Sequence, residues 1–164
     1  MPLYTQEQIN TLAAKIKSVR FGMFTTTDDS NVLSSRPLTT QQIDNEGNMW
    51  FITSDEAGFI NDLQQHPNVN VSFSDPGHHT YLSVYGQAYL LKDRAKAREL
   101  WNPLARGWFP GGLDDPHLAL IRLKIQSAEY WDAGSSKMKQ LLHIAKAAVT
   151  GQPAQEVGRH TICL

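Results

Sequence analysis

Apolar and polar residues alternate along this chain with two different periods, and each change of period marks an element. Ile9, Leu12, Ala13 and Ile16 recur at helical spacing behind Thr5 and Gln8, a residue pair able to form a capping box, so the pattern predicts a helix over 5–18. From Phe21 the period falls to two. "FGMFTTT" is β-branched and aromatic, "DDSN" supplies a turn, and "VLSSRPLTTQQI" returns as a second strand. "DNEGN" then turns the chain into "MWFIT", which predicts three strands in an antiparallel meander. Asp55 is placed to cap a short helix with Phe59, Ile60 and Leu63 inward, ending at His66-Pro67 because the residue before proline avoids helical torsions.

Val69, Val71 and Phe73 alternate with Asn70, Ser72 and Ser74, and Leu82, Val84, Ala88 and Leu90 alternate with Tyr81, Ser83, Tyr85 and Gln87. Both segments therefore read as strands buried on one face. "DRAKARELWNPL" carries helix signals, "WFPGGLDDP" reads as a loop, and "LALIRLKIQ" and "AEYWD" as the final strands. Met138, Leu141, Leu142, Ala145, Ala148 and Val149 form one helical stripe before Gly151 and Pro153, giving a C-terminal helical extension over 134–164. The expected whole is one domain over 1–164. It is mainly β with flanking helices, a small barrel of six to seven antiparallel strands.

Composition narrows the function. At 164 residues with 41% hydrophobic content, the chain can bury a core without metal or disulfides. The net charge is -1, from 15 basic and 16 acidic residues spread along the sequence, which gives no footprint for nucleic acid. The lone Cys163 cannot form an internal bridge, "MPLYTQEQIN" is not a basic segment followed by an apolar one, and no apolar run is long enough for a membrane span. The expected location is the cytoplasm.

Few residues stand out as chemistry. The six histidines, His66, His78, His79, His117, His143 and His160, have no paired spacing for a metal, and Asp114-Asp115 before a proline reads as a turn cap rather than a carboxylate dyad. No Walker loop, GxSxG elbow or GxGxxG is present. The strand around Arg36 is different. Ser34, Ser35, Arg36, Thr39, Thr40, Gln41 and Gln42 offer more hydrogen-bonding groups than a half-buried strand tolerates without partners. Pro37 suits a protected edge strand; alternatively, a planar anionic ligand lies along the strand with Arg36 on a phosphate.

In this order, "SSRPLTTQ", "MWFIT", "HPNVNVSF", "YLSVYGQA", "WFPGGLDDP" and "AEYWD" resemble the FMN-binding split barrels related to pyridoxamine 5'-phosphate oxidase, and most of all the general stress protein 26 branch. The resemblance covers about Ile16 to Met138. It implies a Greek-key split barrel, FMN as cofactor, a homodimer with cofactor sites at the subunit interface, and a stress-related role. It also implies site residues: Ser35, Arg36, Pro37 and Leu38 on the strand lining the flavin, with Arg36 at the phosphate, and Gln41 near the ring system. Ile52, Thr53 and Ser54 would meet the isoalloxazine and ribityl chain, Trp131 would reach the site from the other subunit, and Trp108 lies in a motif of the stress-protein branch.

One departure stands inside the likeness. Where relatives read Ser-x-Lys or Ser-Arg-Lys to hold the FMN phosphate, this chain reads Ala57-Gly58-Phe59. Hydrogen bonds to charged groups contribute about 1.5–3 kcal/mol each, so losing two lowers affinity by roughly 10²–10⁴-fold unless Arg36 and the amides of the following helix compensate. The resemblance leaves three functions open: an FMN-dependent oxidoreductase of unknown substrate, a dimeric binding protein for a flavin or another planar anion, and a barrel that has lost strong FMN binding. No side chain stands out as a proton donor.

Overall fold

The computed structural model describes residues 5–132 and 159–163. Helix α1 (Gln6–Val19) starts at the expected capping box, with the Gln8 amide donating to Thr5 Oγ1 and the Thr5 amide to Gln8 Oε1. Its Leu12 and Ile16 are buried in the same cluster as the barrel residues Phe24, Phe51, Val71, Phe73 and Leu123, so the helix closes the barrel by contributing to its core. Strands β1 (Phe21–Thr27), β2 (Leu33–Ile43) and β3 (Asn48–Ser54) form the predicted meander.

The β2–β3 turn is held by Asp44. Its carboxylate accepts from the Trp50 indole at 2.8 Å, from the Asn48 amide and side chain, and from the Glu46 amide, while Gly47 takes φ +77°, a torsion favourable to glycine. Burial alone would raise the Asp44 pKa. The hydrogen bonds from Trp50, Asn48 and Glu46 outweigh it and hold the carboxyl below its ordinary value.

Helix α2 (Ile60–Gln65) buries Ile60 and Leu63 and ends at His66, as its spacing and the following proline predict. Asp55 is not its cap. Phe59 occupies the N-cap without a side-chain bond, and Asp55 instead pairs with Lys92 at 2.6 Å and His117 at 3.0 Å, holding the end of β3 to the chain before and after α3 and α4. Through α2 the chain crosses to β4 (Asn68–Asp75), which lies beside β1, a Greek-key connection.

Strand β5 (Thr80–Leu91) follows, and its alternation is broken by a bulge at Tyr85/Gly86. A Cβ at Gly86 would sit 2.2 Å from the Lys124 carbonyl oxygen, so only glycine fits there. The expected helix after β5 is two, α3 (Arg94–Leu100) and α4 (Pro103–Trp108). The break is chemical: Asn102 caps α4 by accepting from the amides of Leu104 and Ala105, and Pro103 opens it. A second cluster, Trp50, Ala97, Leu100, Phe109, Leu118 and Leu120, seals α3 and the end of α4 against the outside of the barrel.

The last two predicted strands are one, β6 (Leu118–Asp132). Its first half pairs with β3 and β5, which closes six strands in the order β3-β2-β1-β4-β5-β6 into a barrel. Its second half pairs with β7 (Arg159–Cys163). Residues 159–163 are therefore strand, where the helical extension was drawn through to 164; "RHTIC" carries β-branched residues at Thr161 and Ile162, which favour the sheet. The predicted stripe Met138 to Val149 lies outside the described residues. Among the described residues, no helix is long and apolar enough to cross a membrane.

Candidate functional site

Strands β2 and β3 are paired only between Thr40↔Phe51 and Ile43↔Met49. Beyond Phe51, β3 stays on β6 as far as Ser54↔Leu118, while β2 stays on β1 as far as Thr27↔Leu33. The wall therefore opens between residues 33–39 and 52–54. An opening in a sheet leaves two strand edges with hydrogen-bonding groups to satisfy.

Arg36 lies at this split. One guanidinium nitrogen, Nη1, donates to Thr26 Oγ1 at 2.7 Å and to the Phe24 carbonyl at 3.3 Å. The guanidinium carbon is 4.5 Å from the centroid of Phe59, whose ring tilts on Phe24, and Phe24 meets Phe51 edge to face at 5.4 Å. Burial holds the Arg36 pKa below the ordinary guanidinium value, while Asp62 pulls it up; the group stays protonated in either case. Arg36 thus forms part of the barrel's aromatic end as well as lining the gap.

Strand alternation divides the other expected residues between two faces. Phe24, the partner of Arg36, is fully buried, whereas Met23 and Thr25 oppose Pro37 and Ser35. Arg36 and Leu38 therefore point inward, and Ser35 and Pro37 outward, where Ser35 Oγ lies 2.7 Å from Thr25 Oγ1. Gln41 sits at the bulge near Thr40/Gln42 and accepts from Asn102 at 2.7 Å, which ties β2 to the start of α4. Thr53 is buried at the split, Ile52 packs into the second cluster under α3, and the Ser54 hydroxyl accepts from the Glu56 amide.

Trp131 opposes Tyr81 on the outer face. Trp131 lies on the half of β6 that pairs with β5 and β7, and Ser35 on the half of β2 that pairs with β1 alone, so the register of one chain does not bring the two together. Trp108 ends α4 at 83% exposure. Sequence reasoning passed over Thr26 and Asp62. Thr26 had a signal: it follows Gly22 and Phe24 on the inward side of β1, where a hydroxyl must have a partner.

The loop after β3 uses its polar groups internally. The amides of Asp55, Glu56 and Ala57 donate to the His117 carbonyl, Ser54 Oγ and the Ser54 carbonyl, at 3.0, 3.2 and 3.1 Å. The Ile60 amide donates to the Ala57 carbonyl.

Comparison with known proteins settles the family. The model of the family described as "Pyridoxamine 5'-phosphate oxidase like" matches residues 7–155. The chain belongs to this family. Protein bli-3 of Neurospora crassa is 30% identical over 158 residues, covering 90% of this chain and 76% of that protein. Among solved structures, the general stress FMN/FAD binding protein of Xanthomonas citri is 35% identical with a TM-score of 0.68, covering 80% of this chain and 93% of the other. General Stress Protein 26 of Bacillus anthracis, at 22% identity and a TM-score of 0.64 over 76% of this chain and 92% of that one, shares the fold.

A flavin of the kind this family implies fits the split in part. Open strand edges, the hydroxyls of Ser34 and Thr53 and the aromatic end suit a planar ring and a polyol chain. The phosphate does not fit as well. Arg36 Nη1 is already bonded to Thr26 and Phe24, its guanidinium packs on the Phe59 ring, and the amides of Asp55, Glu56 and Ala57 are bonded within the chain.

Proposed function

We propose that this protein is a flavin-binding homodimer of the stress-related branch of the pyridoxamine 5'-phosphate oxidase-like family, working in the cytoplasm. The observation that carries the reading is the parting of β2 from β3 after Thr40↔Phe51, which opens two strand edges beside Arg36 and Thr53. Family membership and the Xanthomonas citri FMN/FAD binding protein support a flavin there, with FMN as the family's form. Self-association is supported by Phe21, Met23, Leu33 and Tyr85, exposed apolar side chains on the outer sheet face that also carries Ser35 and Pro37. A twofold dimer through this face lets Trp131 of one copy approach the Ser35 of the other.

The test is a titration of flavin-free protein with flavin, followed by fluorescence. Quenching that saturates at micromolar flavin supports the reading, and no quenching refutes it. Redox chemistry is supplied by the flavin itself, and the protein's part is to hold and orient it. Anaerobic mixing of the loaded protein with NADH or NADPH distinguishes an oxidoreductase, whose flavin band bleaches, from a carrier, whose band stays.

A further inference from the structure

We infer that this flavin site grips its ligand by the ring and the polyol chain and discriminates against a terminal phosphate, so that riboflavin binds at least as tightly as FMN. The inference rests on the flavin reading above and concerns which flavin the site selects.

A phosphate ester brings a charge of about -1.5 to -2 and needs cations or free amides to replace its water. The structure offers it Arg36, with Nη1 already bonded, and, at the start of α2, the amides of Gly58, Phe59, Asn61 and Asp62, which have no acceptor among the described residues but share that turn with the Asp62 carboxylate. Arg36 commits one nitrogen to Thr26 and Phe24, and one face to the Phe59 ring. Ala57 and Phe59 bring neither a hydroxyl nor an ammonium, and the amides of Asp55, Glu56 and Ala57 are bonded within the chain.

Local charge works in the same direction. The loop and the start of α2 present Asp55, Glu56 and Asp62. Lys92, a basic side chain that reaches this loop, is held by Asp55 at 2.6 Å, and His117 bridges Asp55 and Glu56 at 3.0 and 3.6 Å. A dianion entering here meets carboxylates whose partners are taken. A neutral ribityl chain meets none of this repulsion, and the hydroxyls of Ser34 and Thr53 suit a polyol.

The experiment is a paired titration of the flavin-free full chain with riboflavin and with FMN, at low and at high salt, followed by fluorescence. The expected result is a dissociation constant for riboflavin equal to or below that for FMN, with FMN binding improving as salt screens the repulsion. The double substitution Ala57→Ser and Phe59→Lys should raise FMN affinity by roughly 10²–10⁴-fold and change riboflavin by less than about threefold. Glu56→Gln, at an exposed position, gives a second variant with no packing to disturb, and it should tighten FMN alone.

FMN binding tighter than riboflavin by about tenfold or more in the natural chain overturns the inference and leaves the flavin reading intact. Failure to bind either flavin overturns both. Absence of any FMN gain in both variants overturns the assignment of the discrimination to this loop.

Discussion

If Arg36 is committed to the protein itself, removing it must destabilise the flavin-free chain. Arg36→Met keeps an apolar stem and deletes the charge. The bond to Thr26 Oγ1 is lost at a residue only 1% exposed, and a hydrogen bond to a charged group contributes about 1.5–3 kcal/mol. The stack on Phe59 adds about 0.5–2 kcal/mol, of which the methionine thioether recovers a share. Burial acts against the guanidinium charge, as the lowered pKa records, so the net loss lies near the bottom of the sum, at about 2 kcal/mol.

For a chain of this length each kcal/mol moves the midpoint by about 2–4 °C, so the melting temperature should fall by roughly 4–8 °C. Urea and thermal unfolding of the flavin-free protein, followed by circular dichroism, read the effect directly. A double-mutant cycle with Thr26→Val should return a coupling of about 1–2 kcal/mol. A flavin-free Arg36→Met chain within about 0.5 kcal/mol of the natural one would refute the reasoning and return the guanidinium to ligand binding.

Asp44→Asn should cost about 1–2 kcal/mol, because the carboxylate serves the Trp50 indole, Asn48 and the Glu46 amide, and neutral acceptors are weaker. Its folded pKa lies below the unfolded one, so the contribution is present above about pH 4 and is lost as pH falls through the folded value; the natural chain should lose more stability on acidification than the variant does. Gly86→Ala should cost more than about 3 kcal/mol by thermal melting, since its Cβ would lie 2.2 Å from a backbone oxygen, while Gly58→Ala, with nothing within 4 Å, should stay near neutral. Met23→Glu should shift the protein toward monomer in light scattering coupled to gel filtration, and an unchanged mass would remove this face from the dimer.

Much of the fold was legible because it is local. The Thr5–Gln8 capping box, the hairpin at "DDSN" and the one-sided burial of Val69, Val71 and Phe73 all follow from residues a few positions apart. Asn102-Pro103 also carried a readable start signal for α4, obscured by the apparent continuity of "DRAKARELWNPL". Asp55 misled because its short-range and long-range uses compete. A carboxylate ahead of an apolar stretch looks like a cap, and its partners Lys92 and His117 are brought to it only by β5 and β6.

At the site, the residue types were readable and their grouping was not. "SRPL" reads as one lining, yet a period of two puts Ser35 and Pro37 on one face and Arg36 and Leu38 on the other. The substitution at Phe59 was visible in the sequence. That its ring covers the arginine, and so changes what the arginine can do, required three dimensions.

That contact explains how an arginine can persist at a split that discourages phosphate. Where β2 leaves β3, the Thr26 hydroxyl is buried opposite Ser34, and Phe24 and Phe51 meet edge to face at this end of the barrel. A phenylalanine at the loop position shields the aromatic end, and a guanidinium laid between Phe59 and Thr26 satisfies the hydroxyl while its flat face packs on the ring. A lysine at position 59 would repel Arg36 unless an anion lay between them, so two cations suit a chain that holds a phosphate. One cation under an aromatic ring suits a chain that is stable without one. The two arrangements differ at one position, and they predict opposite responses to salt on adding FMN.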